Sequence, residues 1–218
     1  MLKNMTIKRI SLASILLFIC ALFLLFPSTE KEKGLNIKED IEYVDNNVKT
    51  HEIYLVNKDN YVARTNVIVN EEETIKKVKT MLEYLIMGGK KESNIPNGFR
   101  GIIPSGTEVL SVDIKDGLLK INFSKELLEI DEALEEKMIE AIVYSLTSVD
   151  GVKEILIYVE GNLLRVLPKT KTNLPTTLTK NIGINKVYNL TDTKNITATT
   201  IYYIDKNSDG YYYIPVTK

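Results

Sequence analysis

The side chains that most often do chemistry in proteins are scarce in this sequence. Its 218 residues contain one histidine, His51, and one cysteine, Cys20. A zinc site usually takes three or four ligands, so these two soft ligands are too few, and a lone cysteine excludes an intramolecular disulfide. No motif places a serine or cysteine nucleophile beside His51, and we interpret it as an exposed, inert residue. We therefore expect no metal and no cofactor.

Two short stretches resemble ligand-binding loops but do not match their spacing. Residues 205–210, DKNSDG, match the first half of an EF-hand loop, whose twelfth position should be a bidentate acid and is Val216 here. Residues 88–91, GGKK, lack both the earlier glycine and the following Ser or Thr of a phosphate-binding loop. We interpret the first stretch as a hairpin turn and the second as the end of a helix with solvated lysines.

A cluster of acidic residues is the remaining candidate for catalysis, since glycan hydrolysis uses a pair of carboxyl groups. Acids also stabilise a helix N-terminus, and this cluster surrounds one, so we favour the structural interpretation. Ser105 and Thr107 lie in a Pro/Gly loop, where turn hydrogen bonds explain their hydroxyls. The sequence therefore predicts no catalytic site and no enzyme. The acidic residues of the cluster are Glu126, Glu129, Asp131, Glu132, Glu135 and Glu136.

The composition is that of a globular protein with nearly balanced charge. Apolar residues make up 44% and charged residues 26% of the chain. Lys and Arg number 28 and Asp and Glu 29, for a formal net charge of -1. Because binding to nucleic acid depends on many contacts from Lys and Arg to phosphate, we expect no nucleic acid partner.

The N-terminal segment, residues 1–26, predicts a membrane anchor. Three basic side chains precede an uncharged run at residues 10–26, ISLASILLFICALFLLF, which as a helix would reach ~26 Å. Charges in this position keep the N-terminus in the cytoplasm and place the main domain outside the cell membrane, as a single-pass protein. No A-x-A-like cleavage pattern follows the run, and bulky Ile19 precedes Cys20. An uncleaved anchor is therefore favoured, with lipidation at Cys20 as the alternative.

Beyond the anchor, the sequence predicts a polar tether at residues 27–50 and an α+β domain at residues 51–168. Alternating and helical periodicities follow one another in the order ββ-α-ββ-α-ββ. This order predicts a mainly antiparallel sheet made from three hairpins, with two helices packed on one side. The hairpins are expected to turn at residues 57–60, 115–117 and 160–162, and the strand after the third turn to run over residues 163–167.

The first helix is expected to begin at Asn70 as its cap, with acids in the first turn and Glu73 at the capping-box position, and to stop at Gly88-Gly89. The second is expected to be capped by Asp131 and to end near residues 149–151.

The C-terminal part contains the start of an internal repeat. Residues 201–211, IYYIDKNSDGY, are similar to residues 53–61, IYLVNKDNY, and both patterns predict an Ile-Tyr strand, a polar turn and a Tyr-led strand. We interpret residues 169–198 as a linker and residues 199–218 as the opening hairpin of a second, truncated repeat. An isolated hairpin is marginally stable, so we expect it to stand apart with its tyrosines partly exposed.

An ordered set of short motifs resembles the GerM family of sporulation and spore germination proteins, whose members carry a membrane anchor and tandem GerMN domains. The resemblance covers residues 51–218. It implies a spore-forming bacterium, action outside the membrane around the forespore, and an assembly role without catalysis. The motifs are IYLV at 53–56, IPSGTEVL at 103–110, the hairpin end at 116–124, VKEILIYVEG at 152–161 and LTKNIGIN at 178–185.

The resulting functional hypothesis is a non-enzymatic assembly or scaffold module of the spore envelope that binds other proteins. Lys76, Lys77 and Lys79 on the first predicted helix are the candidate docking face, although a charged helix face is also typical of plain solvation. A module that binds peptidoglycan or spore cortex through the loop at residues 90–107 is the alternative, and a wall hydrolase is a third, less favoured one.

Overall fold

The computed structural model describes Ile15 and residues 17–19, 49–186 and 197–218. Ile15 and residues 17–19 are helical, and all the other described residues belong to the compact unit Asn47–Lys218. Within the described residues, no helix has the length and apolar character needed to cross a membrane. Most of the predicted anchor, residues 10–26, lies outside them, as do Cys20 and most of the predicted tether.

The unit has a mixed α+β fold with two sheets, and the first sheet contains both repeat hairpins. Its five strands are β1 Thr50–Asn57, β2 Val62–Ile68, β3 Phe99–Arg100, β8 Thr200–Asn207 and β9 Gly210–Thr217. They lie in the order β3-β1-β2-β9-β8, with all pairs antiparallel. The first hairpin turns where predicted, because the Asn57 side chain accepts hydrogen bonds from the backbone N–H groups of Asp59 and Tyr61 at 3.0 and 2.8 Å.

The second sheet corrects the predicted topology. Its four strands are β4 Val109–Lys115, β5 Leu118–Phe123, β6 Glu154–Val159 and β7 Asn162–Leu163. They lie in the order β4-β5-β6-β7, and β5 and β6 are parallel rather than antiparallel. A helix connects these two strands, and such a crossover is what brings consecutive strands into parallel pairing. The hairpin at Asp116-Gly117 forms as expected, with both residues at positive φ.

The third predicted hairpin is shorter than expected. Its second strand, β7, contains only Asn162–Leu163, where the sequence pattern had extended it to Leu167. The chain turns away because the Leu167 N–H donates to the Thr172 carbonyl and Pro168 follows. Beyond this turn, Leu178 pairs with Ile155 of β6 and is buried, so the first part of the predicted linker packs on the sheet.

Two helices complete the unit, α1 at Thr74–Leu85 and α2 at Glu132–Leu146. Helix α1 begins later than predicted, with Glu73 rather than Asn70 at its N-cap position and no acid in its first turn. Asp131 stands at the N-cap position of α2 as predicted, but neither cap residue makes a side-chain capping bond. The helices and most buried strand residues share one continuous core, to which α1 contributes Val78, Met81, Leu82 and Leu85. The two sheets are therefore parts of one packed body.

Helix α2 also covers the open side of β1. Ser145 Oγ accepts a hydrogen bond from the Tyr54 N–H at 2.9 Å and donates to the Tyr54 carbonyl at 3.3 Å. Just beyond the helix, Ser148 Oγ donates to the Glu52 carbonyl at 2.9 Å. These hydroxyls satisfy backbone groups that β3, only two residues long, does not reach.

The C-terminal hairpin does not stand apart, and that expectation is wrong. Strand β9 pairs with β2 through Arg64 and Tyr213, and the Tyr212 ring packs on Phe99 with centroids 4.8 Å apart. A small apolar cluster of Ala63, Tyr212, Ile214 and Val216 fills the contact. The hairpin docks because β2 offered an unpaired edge, and a hairpin on a sheet edge is far more stable than one in water.

Candidate functional site

The three lysines predicted as a docking face differ in exposure. Lys76 and Lys79 are exposed on α1, three residues apart and hence on one side of the helix. Lys76 forms an ion pair with Glu73 at 2.9 Å. Lys77 is half-buried and lies near His51, where burial first and this positive charge second lower the pKa of the imidazole. Lys76 and Lys79 therefore form the accessible part of the predicted face.

Lys79 also borders a groove of about 620 Å³. Two chain segments close it, residues 86–90 after α1 and residues 106–109 before β4. Lys79, Glu83, Lys90 and Glu108 give it charges of both signs. On its wall the buried Thr107 hydroxyl has no hydrogen-bond partner among the described residues. The groove thus combines part of the predicted lysine face with both ends of the loop predicted to bind a wall polymer.

The stretch that resembled half an EF-hand loop forms the turn of the β8–β9 hairpin. Asn207 Oδ1 accepts from the backbone N–H groups of Asp209 and Gly210 at 2.9 and 3.1 Å. Asp209 accepts two hydrogen bonds from Asn97, and Asp205 accepts one from the Tyr212 hydroxyl at 2.6 Å. These carboxylates are occupied by protein donors, and the interpretation as a turn is confirmed. Within the described residues, no cluster of three or more His, Cys, Asp or Glu side chains could hold a metal ion.

A buried asparagine joins the C-terminal hairpin to the rest of the unit. In the antiparallel register set by Arg64 and Tyr213, Val62 lies opposite Pro215, which has no N–H to donate. Asn185 inserts its amide there: Oδ1 accepts from the Val62 N–H at 2.9 Å, and Nδ2 donates to the carbonyls of Val62 and Pro215 at 2.7 and 2.8 Å. The side-chain amide of Asn185 thus supplies the N–H donor that Pro215 lacks between β2 and β9.

Glu140 of α2 holds this asparagine in place from a buried position. Its Oε2 accepts from the Asn185 N–H at 2.8 Å, and its Oε1 lies 3.8 Å from the Lys186 ammonium group. The side chain is 3% exposed, and burial raises its pKa to about 7 despite these favourable contacts. It lies at the base of a cleft of about 230 Å³ that also contacts Tyr61 and Lys137.

Neither Glu140 nor Asn185 was singled out from the sequence. The available signal was an acid in the middle of a buried helical stretch, IEAIVYSL at residues 139–146. An acid at such a position needs hydrogen-bond partners inside the fold. Its partner, however, is 45 residues away in sequence and belongs to a segment without periodicity.

Within the part of the chain that the structure describes, strand β8 is an edge of the first sheet, and it carries exposed apolar side chains. Tyr202 is 55% and Ile204 66% exposed, and Ile201 and Tyr203 on the other face are exposed as well. Tyr211 and Tyr213 of β9 extend the surface, whereas Tyr212 is buried. We call Ile201, Tyr202, Tyr203, Ile204, Tyr211 and Tyr213 the β8 surface.

Comparison with known proteins finds relatives with a similar sequence and a similar fold. The family model described as "Germane: Sporulation and spore germination" matches residues 52–165. The chain belongs to the GerM family. It is 34% identical over 195 residues to the spore germination protein GerM of Bacillus subtilis (strain 168), a match that covers 87% of this chain and 51% of that protein. The chain thus spans about half the length of this curated relative.

Solved structures of the family agree with the fold. The tandem GerMN domains of the sporulation protein GerM from Bacillus subtilis superpose with a TM-score of 0.72 at 31% identity, over 78% of this chain and 60% of that one. The first GerMN domain of the same protein gives a TM-score of 0.57 at 29% identity, over 61% of this chain and 98% of that one. Recognition of the family from its short motifs is thus confirmed.

Proposed function

We propose that this GerM-family chain is a non-enzymatic, membrane-anchored assembly module that acts outside the cell membrane at the forespore envelope. The observation that carries the proposal is the β8 surface, because an open strand edge with exposed Tyr and Ile side chains is suited to pairing with another polypeptide. The apolar run at residues 10–26, with basic residues before it, supports the single-pass anchor.

The second, shorter repeat is part of the same proposal. Strands β8 and β9 are similar in sequence to β1 and β2, and Tyr202 takes the place of Tyr54. In the first repeat, Ser145 of α2 satisfies the backbone of Tyr54. We propose that β8 and β9 correspond to the opening hairpin of a second GerMN-like repeat.

Charge reversal at Lys76 and Lys79 together tests the docking role. Both side chains are exposed, so the double variant should keep its fold while the protein leaves its site in sporulating cells. Fluorescence microscopy of a tagged chain measures localisation, and spore counts measure function. Reversal of Lys120 and Lys125, which are exposed on the other sheet and its flank, is the matched control. Normal localisation and spore frequency in the Lys76/Lys79 variant would remove this helix face from the proposal.

Binding of wall polymer is the alternative function, favoured by the groove beside Lys79 and Thr107. The polar backbone segments of this groove and its charges of both signs suit a polymer that itself carries both charges, such as peptidoglycan. Co-sedimentation with purified sacculi measures this directly, and reversal of Lys79 and Lys90 should abolish it. Zymography on the same material tests the wall-hydrolase hypothesis, for which we expect no clearing.

A further inference from the structure

The groove between residues 86–90 and residues 106–109 contains a buried hydroxyl that the chain itself leaves unpaired. Thr107 is 5% exposed, and its hydroxyl has no hydrogen-bond partner among the described residues. Only one other buried side-chain atom of the described part, Glu71 Oε2, is in this state. Because a buried hydroxyl without a partner costs free energy, such a group indicates a place for a ligand or an ordered water. We call this groove the Thr107 groove.

The backbone on the wall of the Thr107 groove is also open. Neither the N–H nor the carbonyl of Gly106 makes a hydrogen bond within the described part of the chain. Its φ of 83° is a conformation that glycine adopts without strain, and a Cβ at this position would meet no atom within 4 Å. A free peptide group beside open space can donate and accept hydrogen bonds with the backbone of a bound peptide.

Four charged side chains surround these groups, and none of them has an ion-pair partner among the described residues. Lys79 and Glu83 are four residues apart on α1, a spacing at which opposite charges often pair, yet they form no pair here. Lys90 and Glu108 add one charge of each sign. The groove therefore presents two positive and two negative groups to a ligand.

These charges restrict the class of ligand. Glu83 and Glu108 would repel a purely anionic polymer, and the two lysines would repel a purely cationic one. An uncharged glycan chain would leave all four charges unmatched. A ligand with a free carboxylate and a free ammonium group can pair with both signs, and its peptide groups can bond to Gly106 and Thr107.

We propose that the Thr107 groove binds a short zwitterionic peptide, supplied by the stem peptides of peptidoglycan rather than by its glycan chains. The source of the peptide rests on the alternative function proposed above, whereas the class of ligand rests on the groove itself. The ammonium group of the ligand pairs with Glu83 and Glu108, and its carboxylate pairs with Lys79 and Lys90.

Calorimetric titration of the full chain in detergent with the tripeptide L-Ala-γ-D-Glu-meso-diaminopimelate tests the proposal. We expect saturable binding, and amide NMR shifts at Gly88, Gly106 and Thr107 should locate it. Acetylation of the amino groups of the tripeptide, or amidation of its carboxylates, should weaken binding at least about tenfold, because each change removes charge-assisted hydrogen bonds. An oligomer of N-acetylglucosamine without peptide should not bind.

Substitutions in the groove separate binding from stability. Thr107→Val removes the hydroxyl, which has no protein partner, so the variant should keep its thermal midpoint and bind the tripeptide about fivefold more weakly. Glu108→Gln should weaken binding of the tripeptide about tenfold and leave binding of its acetylated form unchanged, because that form has no ammonium group. Glu154→Gln, at an exposed glutamate of β6, is the matched control and should change neither affinity.

Several results would overturn the proposal. They are no binding of the tripeptide, equal affinity for its acetylated or amidated forms, tighter binding of the oligosaccharide, unchanged affinity in Thr107→Val, and NMR shifts confined to the β8 surface. Co-sedimentation that persists after an amidase has removed the stem peptides from sacculi would also overturn it, while wall binding itself would stand. Tripeptide binding without co-sedimentation of intact sacculi would instead refute the wall function and support the peptide site.

Discussion

The side-chain amide of Asn185 makes hydrogen bonds that a backbone peptide group would otherwise make between β2 and β9. Proline at position 215 removes one donor from the β2–β9 ladder, and the primary amide of Asn185 supplies both a donor and an acceptor at the same place. Asn185 also has φ of 46°, a left-handed conformation that asparagine tolerates better than most residues. Both its backbone and its side chain therefore suit the position.

Removal of this amide should destabilise the unit. Asn185→Ala leaves the buried Val62 N–H without an acceptor and adds strain at positive φ, so we expect a loss of about 2–3 kcal/mol in the free energy of unfolding. Asn185→Gly removes the side-chain amide without adding strain at positive φ, so its free energy of unfolding should fall by slightly less. Urea denaturation measures both. Asn181→Ala, an exposed neighbour, should change stability by less than about 0.5 kcal/mol. Wild-type stability in Asn185→Gly would show that the bridge contributes nothing.

The C-terminal hairpin packs on β2 through one face of β9. Two neighbouring tyrosines of this strand differ sharply, since Tyr212 is 7% exposed and Tyr211 is 82% exposed. The buried ring contacts Phe99, and its hydroxyl donates to Asp205 and accepts from Asn57 Nδ2 at 3.3 Å. Alternation along β9 thus places one tyrosine in the core and the other in solvent.

This pair gives a matched test of docking. Tyr212→Ala should lower the free energy of unfolding by about 3 kcal/mol, because it removes a buried ring and two hydrogen bonds. Tyr211→Ala should change it by less than about 0.5 kcal/mol. Thermal and chemical denaturation followed by circular dichroism measure both variants. Equal effects would mean that the hairpin does not pack as described.

Deletion of residues 197–218 tests the whole element. The deletion re-opens the edge of β2 and uncovers Ala63 and Phe99, so we expect the thermal midpoint to fall by roughly 5–15 °C. Differential scanning calorimetry provides the midpoint. An unchanged midpoint would restore the view, drawn from the sequence alone, that the hairpin stands apart from the domain.

Local patterns were sufficient to predict the elements but not their partners. The turn chemistry of Asn57 and of Asp116-Gly117 predicted the first two hairpins, and apolar spacing predicted both helices. Parallel pairing of β5 with β6 and the docking of β9 on β2 depend on contacts distant in sequence, which local periodicity does not report. Glu140 and Asn185 were missed for the same reason.

At the scale of the whole molecule, the unit has a packed interior and an open end. One core joins both sheets and both helices, whereas β8 has exposed side chains on both faces. Isolated, scattered apolar residues are ordinary on a protein surface, but Tyr202, Ile204 and Tyr213 lie side by side on one face of this hairpin. This end of the molecule is where contact with another polypeptide should occur.

Residues 49–218, purified alone, should therefore self-associate as concentration rises. Ile204→Lys places a charge on the open edge and should shift the population to monomers without loss of stability, because Ile204 is 66% exposed. Sedimentation velocity measures the distribution. Ile68→Lys is the control, an exposed isoleucine at the end of β2 and away from the edge. Monomers at all concentrations, or equal behaviour of both variants, would contradict this use of the edge.

The bond between Asn57 and Tyr212 joins residues 155 positions apart in the chain, and this distance bears on how the protein is made. The ribosome delivers β1, β2 and both helices long before β9. Until then, the nascent unit exposes the β2 edge and the site that receives Asn185. Such late, non-local contacts slow folding and leave an edge open to the wrong neighbour. A chaperone that meets the partly folded unit would therefore encounter this edge before the hairpin does.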